Sequence, residues 1–123
     1  MKVLVVDDSR VMRQIVIRTL RQAGFDWFDV VQAEDGRIAF DLVRTEAPGL
    51  ILSDWNMPNM GGLELLQTLR GSGDTTPFGF VTSEGSDDMR ETALANGALF
   101  LIQKPFTAEG FTEALDPVVG ALR

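Results

Sequence analysis

Four apolar runs, each closed by a residue that can handle phosphate, recur along this chain with helical patterns between them. Asp7 and Asp8 follow Lys2 to Val6, Asp54 follows Leu50 to Ser53, Thr82 follows Phe78 to Val81, and Lys104 follows Leu99 to Gln103. Strands alternating with helices lie parallel in one sheet, so all four run ends should share one edge. In open α/β sheets the ligand crevice lies outside the carboxyl ends of the strands. Three carboxylates, one hydroxyl and one ammonium would meet there, an inventory suited to a divalent metal and a phosphoryl group.

The intervening segments carry helix signals. Ser9 can cap a helix running to about Ala23, with Met12, Ile15, Val16 and Leu20 on one face and Gly24 as the stop. Phe28 to Ala33 reads as a second, short strand, and Glu34-Asp35-Gly36 turns into a helix with Ala39, Leu42 and Val43 facing inward. Ala47-Pro48-Gly49 ends that helix. After Asp54 a loop spans Trp55 to Gly62, where Met57 and Met60 are expected to pack against the following helix, striped by Leu63, Leu66 and Leu69. Ser86 can cap the next helix, with Asp87 and Asp88 in its first turn where the dipole favours negative charge, and Gly97 closes it. The last helix, from about Ala108, offers Phe111, Ala114, Leu115, Val118 and Leu122 as its apolar face. Gly110, Asp116-Pro117 and Gly120 interrupt it, and an interior proline, costing about 3 kcal/mol, predicts a kink. Five strand and helix pairs give a doubly wound α/β sheet with five flanking helices, read as one domain over residues 1–123.

Composition narrows the chemistry. With no cysteine and no histidine the chain has no thiolate, no Ser-His-Asp triad, no His-ligated metal and no phosphohistidine of its own. Its chemistry must use carboxylates, hydroxyls and lysine. A formal net charge of −7 argues against nucleic-acid binding, which needs a concentrated basic patch. Arg10, Arg13, Arg18 and Arg21 read as a solvated helix face. No apolar stretch reaches the roughly 20 residues of a membrane helix, and the protein is expected in the cytoplasm without membrane attachment.

Val6-Asp7-Asp8-Ser9, Ser53-Asp54-Trp55-Asn56-Met57-Pro58, Val81-Thr82-Ser83 and Lys104-Pro105-Phe106, in this order, resemble the response-regulator receiver domains, most of all the chemotaxis-type, CheY-like, single-domain members. The resemblance spans the whole chain. It implies a flavodoxin-like strand order 2-1-3-4-5, phosphorylation on aspartate by a sensor histidine kinase or phosphotransfer protein, and a downstream protein target at the fourth and fifth helices. It further implies a phosphoacceptor role for Asp54 and a Mg²⁺ ion ligated by Asp8, Asp54 and the Asn56 backbone carbonyl, with Asp7 ligating through water. Lys104 would pair with phosphoryl oxygens and Thr82 would donate its hydroxyl to one of them. Asn56 and Glu84, each two residues beyond a site residue, would tune the access of water to the acyl phosphate.

Taken residue by residue, plainer readings stand beside these. Asp8-Ser9 can simply start a helix. Pro105 can follow Lys104 through a trans bond in an ordinary turn; the resemblance implies cis. Receivers commonly place an inward-turning aromatic three residues before the lysine, whereas this chain has Leu101 there and Phe100 on the opposite strand face. A side-chain switch at Leu101 is thus weakened or replaced by motion of the backbone after Thr82. Two rival functions use the same residues: a haloacid-dehalogenase-like phosphatase with Asp7 as nucleophile, and an interaction module that is never phosphorylated. The first wants an acid where this chain has Ser9, and no glycine-rich phosphate loop follows the first strand to favour a nucleotide binder.

Overall fold

In the computed structural model, which describes residues 1–122 and side-chain surroundings through residue 120, the apolar runs pair into one parallel sheet. Strands β1 (Lys2–Val6), β2 (Asp29–Ala33), β3 (Leu50–Ser53), β4 (Phe78–Thr82) and β5 (Phe100–Gln103) lie in the order β2-β1-β3-β4-β5. Helices α1 (Arg10–Gln22), α2 (Gly36–Glu46), α3 (Gly62–Gly71), α4 (Asp87–Ala95) and α5 (Ala108–Leu122) follow the strands in turn. This is the doubly wound α/β architecture expected above.

The period of two along each strand divides the core. Leu4, Val6, Ile51, Phe78, Phe80 and Leu101 face α2, α3 and α4, while Val3, Val5, Leu50, Leu52, Val81 and Ile102 face α1 and α5. Both sheet faces are covered, which is why β1 and β3 read as unbroken apolar runs. Helix starts follow their caps: Ser9, Asp35 and Ser86 each accept a hydrogen bond from an amide three residues on, at 3.1, 2.8 and 3.1 Å. Met57 and Met60 pack against the core cluster that includes Leu66 and Leu69, as expected.

Three expectations need correction. Ile15 is exposed, and Ile17 and Thr19 are buried with Val16 and Leu20 instead; the inward face of α1 lies one position further along the helix. Leu99 lies before β5 and is half exposed. Helix α5 runs on through Gly110 and Pro117. Phe111, Leu115 and Val119, four residues apart, are buried on one side, and Pro117 is exposed, where water can serve the carbonyl that its missing amide leaves unpaired. Burying three large side chains, at about 1.5–3 kcal/mol each, outweighs the proline penalty. Leu122, assigned to that apolar face from sequence, lies outside the residues whose side chains are described. Among the described residues no helix is long and apolar enough to cross a membrane.

Candidate functional site

Strand register brings the run ends together. Val6 sits opposite Ala33 and Ser53, and Thr82 opposite Gln103, so the next residue of each strand emerges on one edge. The backbone pairing then continues past the strands: Asp7 N–H donates to Ala33 O at 3.1 Å, Asp54 N–H to Val6 O at 2.8 Å, and Lys104 N–H to Thr82 O at 2.7 Å. Side chains far apart in sequence are therefore fixed at one rim by sheet hydrogen bonds.

Carboxylate oxygens of Asp7, Asp8 and Asp54 all lie within 4.8 Å of one another. Asp7 is buried; its Oδ1 accepts from Ser9 N–H at 2.9 Å and its Oδ2 from Lys104 Nζ at 2.9 Å. The same ammonium stands 3.7 Å from Asp54 Oδ2, while Asp54 Oδ1 accepts from Trp55 N–H at 2.8 Å. Asp8 is exposed at the mouth, and Ser9, the residue after it, supplies the helix cap. Burial pushes the Asp54 carboxyl above the usual carboxylate range, Lys104 opposes that push, and nearby Asp7 adds to it. Three carboxylates thus face one ammonium, a local excess of negative charge.

That electrostatic imbalance, with donors that are all hard oxygens, fits a small divalent cation. Asp8 and Asp54 point carboxylates into the pocket, and Asn56 lies two residues beyond Asp54 on the loop that borders it.

The remaining predicted residues lie on β4, β5 and the loops after β3, β4 and β5. Thr82 is fully buried and its Oγ1 accepts from Glu84 N–H at 3.3 Å. Asn56 Nδ2 donates to Glu84 Oε1 at 3.0 Å, joining the loop after β3 to the loop after β4. The Lys104–Pro105 bond is cis. Leu101 is buried, and its carbonyl accepts from Arg90 Nη1 at 3.1 Å, tying α4 to β5. Phe100 lies on the other sheet face against Gly79, where a Cβ would meet the ring at 2.2 Å. The inward position thus holds leucine, and the aromatic beside it is accommodated by a glycine.

Residues outside the sequence prediction also build the site. Arg13, read as part of a solvated face, donates from Nη1 to the Asp7 carbonyl at 2.6 Å and from Nε to Gln32 Oε1 at 2.9 Å, fastening α1 to the ends of β1 and β2. Ser53 Oγ donates to the Asp54 carbonyl at 2.8 Å. Gly62 lets α3 start against β3, since a Cβ there would lie 2.1 Å from the Asp54 carbonyl oxygen. Trp55 packs on Phe80 with ring centroids 4.7 Å apart, fixing the start of the loop after β3.

Residues 3–116 match the response regulator receiver domain family. The chain is 43% identical over 123 residues to the "Chemotaxis protein CheY homolog" of Campylobacter jejuni (strain 81-176), covering 98% of this chain and 93% of that protein. Its fold is similar to that of the chemotaxis protein CheY4 of Vibrio cholerae, with TM-score 0.82, 37% identity and coverage of 95% and 97% of the two chains. The signal receiver domain of the putative response regulator NarL from Mycobacterium tuberculosis is similar at TM-score 0.81 and 28% identity, covering 98% and 94%.

Proposed function

The chain belongs to the response regulator receiver domain family, a signalling domain of the CheY type and not a classical enzyme, and from that premise we propose that it is a switch set by phosphorylation of Asp54. The observation that carries this reading is the convergence of Asp7, Asp8 and Asp54 oxygens within 4.8 Å, with Lys104 Nζ 2.9 Å from Asp7 and 3.7 Å from Asp54. Residues 1–123 are proposed to work as one receiver in the cytoplasm, served by a sensor histidine kinase or phosphotransfer protein.

In the proposed reaction an Asp54 carboxylate oxygen attacks the phosphorus of a phosphohistidine. The P–O bond forms as the P–N bond breaks, and the electron pair leaves with the imidazole nitrogen. Phosphoryl transfer needs in-line positioning and compensation of charge on the equatorial oxygens more than covalent help. Lys104, freed from Asp7, would pair with one of those oxygens, and Thr82 would donate its hydroxyl to another. Mg²⁺ held by Asp8, Asp54, the Asn56 carbonyl and, through water, Asp7 would neutralise charge on the phosphoryl group when bound. Hydrolysis returns the switch: water attacks phosphorus, the bond to Asp54 breaks with its electrons on the carboxylate, and inorganic phosphate leaves. Asn56 and Glu84, joined by a 3.0 Å hydrogen bond, border the path that water would take.

Thr82 Oγ1 accepts from the Glu84 amide at 3.3 Å, and a shift of Thr82 toward a phosphoryl oxygen would stretch that bond and reorder the loop beside α4. The altered face is proposed to be α4 and α5, where a downstream protein would bind. Leu101, already buried, leaves little for a side-chain rotation to do, which favours transmission through the backbone after Thr82.

Incubation with acetyl phosphate and Mg²⁺ should add one phosphoryl group by intact mass. Asp54→Asn or removal of Mg²⁺ with a chelator should abolish the gain. Sustained turnover of phosphodonor through Asp7 would support the phosphatase instead, a family that wants a second acid where this chain has Ser9.

A further inference from the structure

The loop between β3 and α3 is anchored at its start by Asp54, through Trp55, and again near its far end by a turn from elsewhere in the chain. Asn59 adopts a left-handed backbone, φ 66°, and its Nδ2 donates to Asp35 Oδ2 at 2.8 Å. The other oxygen of Asp35 caps α2, accepting from Ile38 N–H at 2.8 Å. The next residue repeats the connection: Gly36 N–H donates to Met60 O at 2.9 Å. A Cβ on Gly36 would lie 2.6 Å from that carbonyl oxygen, so only glycine permits the approach. Asp35 is 6% exposed, and the Ile38 amide, seconded by Asn59, holds its carboxyl below the usual carboxylate range. The turn before α2 is therefore a charged, buried anchor for residues 59 and 60.

Between this anchor and Asp54 lies Asn56, whose carbonyl is the one backbone ligand in the proposed metal set. We propose that the Asp35–Asn59 latch positions the Asn56 carbonyl, so that both residues set the divalent-cation affinity of the pocket without touching the ion. The proposal rests on the metal-binding reading above. Residues that orient ligands commonly matter nearly as much to a metal as the ligands themselves.

Two variants break the latch from opposite sides. Asn59→Gly deletes the amide and keeps a residue suited to positive φ. Asp35→Ser keeps a good helix cap and is too short to reach Asn59. Calorimetric Mg²⁺ titration of each should show affinity weakened by about tenfold, and the double variant should be no weaker than either single, because both remove the same interaction. In the metal-free protein, amide hydrogen exchange at Gly36 should quicken in Asn59→Gly while β1 and β3 amides keep their protection. A single variant that binds Mg²⁺ within about twofold of the parent, or effects that multiply in the double variant, would overturn the latch. Failure of the parent protein to bind Mg²⁺ at all would overturn the functional reading beneath it, a result distinct from either of these.

Discussion

Replacing Lys104 with methionine removes the ammonium that faces Asp7 and Asp54 while keeping most of its apolar stem. At an effective dielectric constant of about 20, contacts of 2.9 and 3.7 Å correspond to gross attractions of about 6 and about 4 kcal/mol. Much of that offsets desolvation of the ammonium, whose side chain is 12% exposed, against acids that are 5% and 13% exposed. Deleting one partner of a buried pair costs about 3–5 kcal/mol, and about 3 kcal/mol is expected here because Asp8 opens one side of the pocket to water. The loss should depend on pH. Burial already raises the Asp54 pKa, and loss of the lysine raises it further. A carboxyl whose folded pKa exceeds its unfolded value carries a penalty that is full above the folded pKa and disappears as pH falls below the unfolded one. The deficit of Lys104→Met should therefore be largest at neutral pH and shrink toward about pH 4. Adding Mg²⁺ at neutral pH should recover much of it, because the variant lacks a competing cation in the pocket. Urea unfolding in chelator and in Mg²⁺, at both pH values, measures each quantity. A deficit below about 1 kcal/mol, or one of equal size at both pH values, would mean that Lys104 does not balance buried charge in this pocket.

Asp54→Asn should stabilise the metal-free protein at neutral pH, since burial disfavours the charge it removes, and the gain should fade with acidification; urea midpoints across the range check the sign. Gly62→Ala should cost about 3 kcal/mol in thermal unfolding, because the added methyl would meet the Asp54 carbonyl oxygen at 2.1 Å and the Phe80 ring at 2.9 Å. Thr82→Val should still accept phosphate at Asp54, yet the Glu84 amide should exchange at the same rate with and without a beryllofluoride phosphate mimic.

The meeting of Asp7, Asp8, Asp54 and Lys104 was legible because each stands at the end of an apolar run, and parallel pairing places run ends on one rim. Local rules sufficed for the helix starts at Ser9, Asp35 and Ser86, where one side-chain oxygen decides the boundary. They failed where packing decides. Ile15 and Ile17 are equally apolar, and only the docking of α1 on the sheet selects Ile17. Pro117 carries a strong local signal against a helix, which burial of Phe111, Leu115 and Val119 on the opposite side overrides. Arg13 resembles the arginines around it in sequence, and its bond to the Asp7 carbonyl exists only once α1 folds back over β1. Asn59 and Asp35 stand 24 residues apart, and their contact depends on a left-handed backbone at Asn59 that no spacing rule reveals.

If the convergent acids and lysine make Asp54 a phosphoacceptor, the modified residue can be located directly. Reduction of the phosphorylated protein with borohydride converts an aspartyl phosphate to homoserine, and peptide sequencing then locates it. Homoserine should appear at position 54 and depend on Mg²⁺; homoserine at position 7 or 8, or none after exposure to phosphodonor and Mg²⁺, would show that Asp54 is not the acceptor.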